Sequence, residues 1–235
     1  MSEEFETELR TIIQRLPPDL RTQARWNVEL LLGEGVDSVD ACMAILQDRS
    51  TNIDVRGSAC WLLGQLRDRR AAGILLAAFE EQDLGLRWEA AKSLGALRDE
   101  RTVQPLIAAL LDTIDVDKST AAAYALGAVG DTRAVEPLIG VLLDPSADPK
   151  LRGQAAESLA YLGDDRAVTP LIRALRDASV EVRFWSAFAL GSLGDPRAVS
   201  ELERLAATNE AVLPGWWAVK EEAARAVEQI RDRRR

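Results

Sequence analysis

Histidine is absent from the 235 residues. That removes the commonest general base, the Ser-His and Cys-His nucleophile pairs, and nearly every zinc or non-haem iron site built on imidazole. Catalysis would have to run on carboxylates, Lys, Tyr, Cys or a borrowed cofactor, so no catalytic residue, metal ligand or cofactor is assigned. Cysteine is almost as scarce. Cys42 and Cys60 each sit inside an apolar helical pattern, which predicts small buried side chains in a reducing compartment rather than a disulfide. No apolar run approaches the roughly 20 residues of a membrane span, and the opening MSEEFETELR is acidic where a signal peptide is basic and then apolar. A soluble, cytoplasmic chain without a membrane partner is expected. Positive charge is also in deficit. With 29 Lys and Arg against 38 Asp and Glu, the formal net charge is −9, so a face that neutralises phosphates would work against the overall field. Nucleic acid is therefore not an expected partner.

What is present is a repeat. VRGSACWLLGQLRD at 55, LRWEAAKSLGALRD at 86, KSTAAAYALGAVGD at 118, LRGQAAESLAYLGD at 151 and VRFWSAFALGSLGD at 182 are variants of one segment. Their closing aspartates, Asp68, Asp99, Asp131, Asp164 and Asp195, recur at a period of about 32 residues. A second pattern follows each aspartate, as in TRAVEPLIGVLLD at 132, so each unit reads as two helices. In the helix that begins with VR, apolar or small residues fall at −1, +3, +4, +7 and +10 from the arginine, the spacing of one buried stripe. Gly194-Asp195-Pro196 reads as a left-handed glycine, a capping aspartate and a proline at the first helical position. Pro105, Pro137 and Pro170 lie six residues past their aspartates, which leaves either a separate turn or a kinked helix.

Helix pairs of this length cannot bury their apolar faces alone and must stack. The expected fold is all-α, a right-handed α-solenoid of about seven antiparallel helix pairs. A single domain over 1–235 is expected, with degenerate units at 1–50, regular repeats at 51–208, and a loop and capping helix at 209–235. Arg56, Arg87, Arg152 and Arg183, with the five aspartates, recur once per unit and are read as structural. Ser119 breaks the arginine series.

The pattern resembles HEAT repeats of the HEAT-like subtype named after phycobilisome lyases, whose VRxxAAxALGxLGDxRAVxPLIxAL signature is closely matched from 132 to 199. The resemblance implies that the VR helix lines a concave surface. On that helix the residues at −3, +1, +5 and +9 vary between units and share one face. Trp61, Trp88, Tyr124, Tyr161, Phe184 and Phe188 occupy such positions, Trp26 takes the matching place in the first degenerate unit, and Trp217 stands in the last. Together they are eight of the twelve aromatic residues. Such a row reads as an interaction face, since Trp and Tyr supply contact area at small entropic cost. Packing of each ring against the next repeat is the competing reading.

The partner-binding set is Trp26, Trp61, Trp88, Lys92, Tyr124, Glu157, Tyr161, Phe184, Phe188 and Trp217, and the expected function is a non-enzymatic scaffold that grips a protein or peptide. Another copy of the chain is an alternative occupant. The resemblance also implies a second function, a chromophore-handling lyase or isomerase, with a tetrapyrrole in the groove and Arg87, Lys92 or Arg183 on its propionates. A HEAT-like DNA glycosylase is disfavoured by the negative charge, and a resemblance to deoxyhypusine hydroxylase fails for want of His-Glu pairs. The insertion NEAVLPGWW before the last helix reads as a loop in which Trp216 and Trp217 form either a lid or a contact site.

Overall fold

A computed structural model describes residues 3–33, 36, 38–112 and 114–233. Two compact units divide the chain, residues 1–102 and 103–235. Unit 1 holds α1 (Glu3–Arg15), α2 (Arg21–Gly33), α3 (Val39–Gln47), α4 (Ile53–Leu66), α5 (Ala72–Phe79) and α6 (Leu84–Leu97). Unit 2 holds α7 (Val103–Leu110), α8 (Val116–Val129), α9 (Val135–Leu143), α10 (Pro149–Leu162), α11 (Val168–Ala174), α12 (Val180–Leu193), α13 (Val199–Thr208) and α14 (Val219–Asp232). Consecutive helices pair, giving the seven pairs that the period predicts. Among the described residues there is no strand, only an isolated antiparallel bridge between Val212 and Ala218.

Each of the last five pairs begins with the recurrent aspartate. Its carboxylate accepts the backbone N–H two residues later at 2.8–3.0 Å in all five repeats, from Arg70 to Arg197, and caps a single 3₁₀ turn. The arginine two residues on folds its guanidinium back onto the same carboxylate, and Arg70, Arg101 and Arg166 also reach the preceding repeat. Arg101 donates to the Arg69 carbonyl at 2.7 Å and Arg166 to the Thr132 carbonyl at 3.2 Å. These hydrogen bonds hold the aspartates below the usual carboxylate range, Asp164 at about 2. The 3₁₀ turn also settles the prolines. Pro105, Pro137 and Pro170 are the third residue of α7, α9 and α11, inside the first turn where a missing N–H breaks no α-helical bond.

The second helices α4, α6, α8, α10 and α12 are capped by Asn52, Asp83, Asp115, Asp148 and Ser179, while α14 has Ala218 there and no side-chain cap. In α4, α6 and α10 the first arginine turns back to the carbonyl end of the helix before it. Arg56 donates to Leu46 at 3.1 and 2.9 Å, Arg87 to Phe79 at 3.3 Å, and Arg152 to Leu142 at 3.0 Å. Ser119, which stands in the arginine's place, does the same with a shorter arm, donating to the Asp112 carbonyl at 2.5 Å.

Second helices stack on one another, α2–α4–α6 in unit 1 and α8–α10–α12–α14 in unit 2. Ala59, Ala90, Ala91, Ala122, Ala123, Ala155 and Ala156 form the buried seam. The approach is close enough that a Cβ on Gly64 would lie 2.7 Å from the Ser93 backbone, and one on Gly127 2.8 Å from the Ser158 Cβ. Both serines then spend their hydroxyls on the neighbouring helix, at Cys60 and Ala123 carbonyls. Cys42 and Cys60 are buried and unpaired, and burial pushes both thiols up to about 12.

In unit 2 the second helices α8, α10 and α12 end on Gly130, Gly163 and Gly194 with φ of 82°, 67° and 77°. Their counterparts in unit 1 are Arg67 and Arg98, at φ 54° and 50°. A side chain at this conformation costs about 1 kcal/mol. Arg67→Gly and Arg98→Gly are each expected to raise stability by roughly 0.5–1 kcal/mol, less the entropy that glycine adds to the unfolded chain. Urea denaturation followed by circular dichroism measures the change, and a loss of stability in both variants would contradict it.

Candidate functional site

In unit 1 the repeat builds a cleft of about 640 Å³ along α2, α4 and α6. Ile53, Gly57, Trp61 and Gln65 stand one helical turn apart on α4, and all four line it. Trp26 and Asn27 come from α2, and Glu89 and Lys92 from α6. Trp26 is 47% exposed and Trp61 is half-buried. A Cβ on Gly57 would meet nothing within 4 Å, so this glycine leaves room in the cleft rather than admitting a neighbour. Asp54, Asp83 and Glu89 set three carboxylates against one lysine, and Lys92 is already paired with Glu89 at 2.8 Å. Trp88 is half-buried on α6 and is not among the lining residues.

In unit 2 the aromatic positions separate into two groups. Tyr161 is 58% exposed, and its hydroxyl donates to Glu157 at 3.1 Å. Glu157 also accepts from Gln154 at 2.9 Å. Partial burial, then the Glu157 charge, push the Tyr161 phenol up to about 12. Tyr124 is half-buried on α8. The second group collects Phe184, Trp185, Phe188, Trp216 and Trp217. Phe184, expected on an open face, has no exposed surface at all. The loop between α13 and α14 explains this correction. A turn at Pro214-Gly215, with Gly215 at φ 82°, sends both tryptophans back over α12. Trp216 and Trp217 then lie 5.6 and 5.8 Å from the Phe184 ring, while themselves remaining 45% and 36% exposed. Trp185 spans from Phe188, 5.6 Å away, to Trp216, 5.1 Å away, and packs over Gly153 of α10. The pair thus packs against Phe184 while both tryptophans remain partly exposed.

Beneath the loop lies a buried carboxylate. Glu222 accepts the Trp217 indole N–H at 2.8 Å and has Arg225 at 3.8 Å, whose guanidinium also stands 4.6 Å over the Trp217 ring. Desolvation raises its pKa above the ordinary glutamate value despite both partners. No cluster of three or more potential metal-ligating side chains occurs among the described residues. No described helix is long and apolar enough to cross a membrane.

The family model described as HEAT repeats matches residues 39–121 and 142–213, more than half of the chain. The chain belongs to the HEAT-repeat family. Within this HEAT-repeat chain, residues 120–144 match the PBS lyase HEAT-like repeat. No curated protein matches it. Among solved structures, an engineered protein is similar at 22% identity and a TM-score of 0.54, over 84% of this chain and 98% of that one. A second engineered protein is 20% identical, with a TM-score of 0.52 over 96% and 68% of the two chains. The complex of CpcE and CpcF of phycocyanin lyase from Nostoc sp. PCC7120 is 23% identical, with a TM-score of 0.48 over 97% and 93%. At these identities the likeness is one of fold.

Sequence reasoning missed the polar rim of the unit 1 cleft. Asp54 and Asp83 sit at the start of α4 and α6, a place that the variable-position rule does not sample, and Gln23 belongs to a degenerate unit. A cap is legible at Asp83, which accepts the Leu86 N–H at 2.8 Å, but not the side from which its cleft opens.

Glu222 gives the HEAT-repeat chain a pH signature. A carboxyl whose pKa is raised on folding binds more protons in the native state, so its contribution to stability falls as pH rises from the unfolded value through the folded one. Glu222→Gln is expected to melt above wild type at neutral pH, with the gap closing below about pH 4, where both states are protonated. A gap that widens in acid would overturn the burial argument.

Proposed function

We propose that this HEAT-repeat chain is a non-enzymatic binding module that holds a protein or peptide segment in the tryptophan-lined cleft of unit 1. The observation that carries the reading is Trp26, large, apolar and nearly half exposed, on the wall of a cleft shared with Trp61. Exposed tryptophans in a concavity are the anchors around which interfaces concentrate their energy. The rim suggests the segment's chemistry. Asp54 and Asp83 add negative charge that Lys92 does not offset, which favours a segment carrying Lys or Arg beside an apolar side chain. A tetrapyrrole gains less support. Arg87 is buried against the Phe79 and Glu81 carbonyls, and Lys92 is held by Glu89.

Two substitutions test this from opposite directions. Trp26→Ala removes an anchor, and Gly57→Leu fills the cleft from a position with free space. Partner affinity is expected to fall by roughly 2 kcal/mol for the first and to be largely lost for the second. Folding should survive both, and Gly57→Leu should melt no lower than wild type because leucine is the better helix former by about 0.8 kcal/mol. Affinity capture from the native host, quantified by mass spectrometry beside thermal melts, reads out both. Capture that is unchanged in the two variants would place binding elsewhere.

A further inference from the structure

We propose a carboxylate-binding site in unit 2, centred on Arg183 and independent of the tryptophan cleft. The repeat supplies the reason. Arg56 is gripped by the carboxylate 25 residues later, Glu81, at 2.9 and 2.6 Å, and Arg152 by the carboxylate 25 residues later, Asp177. The residue 25 past Arg183 is Thr208, whose hydroxyl is spent on the Arg204 carbonyl at 2.9 Å. Arg183 keeps its carbonyl contacts, with Nη1 donating to Asp177 at 2.7 Å and Ala178 at 2.8 Å. Its Nε, which in Arg56 and Arg152 donates to a helix-end carbonyl, is buried and has no acceptor among the described residues, and its Nη2, one of the two nitrogens that hold the carboxylate in those siblings, has none there either.

Thr208 lines a groove of about 500 Å³ with Arg176, Arg183, Arg204 and Asn209 against Leu175, where the equivalent groove in unit 1, lined by Glu81 itself, holds about 370 Å³. Arg176 and Arg204 share one carboxylate, Glu201, at 2.5 and 2.9 Å. Three guanidinium groups therefore face this cavity with one carboxylate between them, in a chain of net charge −9. A planar oxyanion matches the guanidinium fork, and the two sibling arginines show which oxyanion this scaffold places there. The ligand is a carboxylate, supplied either as a small free dicarboxylate or as an acidic side chain of a bound peptide.

Calorimetric titration of the intact chain with malonate at fixed ionic strength, with sodium chloride as reference, tests the site. Malonate is expected to bind wild type and raise its melting temperature beyond the chloride control. Arg183→Gln should weaken that binding by about tenfold, the size of a lost charged hydrogen bond. Thr208→Glu should restore the internal partner, raising the melting temperature without ligand and weakening malonate to the same extent. If Thr208→Glu does not fold, the Arg183→Gln titration decides alone. A blocked triglutamate peptide binding more tightly than malonate identifies a partner's side chains as the source, and weaker binding identifies a free small carboxylate. The proposal is overturned if malonate does no more than chloride, if either folded variant keeps full affinity, or if inorganic phosphate binds more tightly than malonate.

Discussion

The carbonyl end of a first helix has to be satisfied, and after α3, α5 and α9 an arginine from the following helix does it. The last carbonyls of an α-helix have no partner within the helix and carry the negative end of its dipole. Arg56, Arg87 and Arg152 supply a cation with several donors at that point, with Arg56 and Arg152 also drawing in a carboxylate from the next repeat. One guanidinium thus closes a helix end, fixes the angle at which the next helix leaves, and ties two repeats together. Arg56 and Arg152 are buried, so their contacts are made at low dielectric, where an unpaired partner would be costly. The scaffold's periodicity is a periodicity of this contact.

With the angle fixed, the second helices pack through their smallest residues. Glycine at positions 64 and 127 and serine at 93 and 158 let neighbouring backbones come within van der Waals contact, and the serine hydroxyls are paid into carbonyls across the seam. Large side chains are then excluded from the seam and have to leave the stack at its edges. That is why aromatic residues gather at the variable positions, and why a glycine at 57 opens space where one at 127 closes it.

The repeat, its capping aspartates and the structural role of the arginines were legible because each recurs five or four times with the same neighbours. The 3₁₀ turn was half legible: proline six residues after the aspartate demanded either a turn or a kink, and hydrogen bonding to Asp99 or Asp131 chose the turn. Phe184 was not legible. Its position on α12 is equivalent to that of Gly57 on α4, and only the return of the loop carrying Trp216 and Trp217 separates a buried ring from open cleft. Periodicity describes a repeat and its neighbours in sequence order. A loop outside the period obeys no such rule, and neither does the degenerate first pair, whose Leu16 and Leu20 complete the cleft around Trp26 and Trp61.

Departures from a repeat divide into those the chain repairs and those it does not. Ser119 is a repaired one: the arginine is gone, but the hydroxyl reaches the Asp112 and Asp115 carbonyls and the helix end stays capped. Thr208 is an unrepaired one, since its hydroxyl turns to Arg204 and Arg183 is left without the carboxylate that its siblings hold. A scaffold bears such a loss only where the remaining contacts hold the arginine in place, as the Asp177 and Ala178 carbonyls do here. The arginine is then oriented by the fold while part of its hydrogen-bonding capacity remains unspent. In a protein built by repetition, chemistry is found where the pattern holds the residue but withholds its partner.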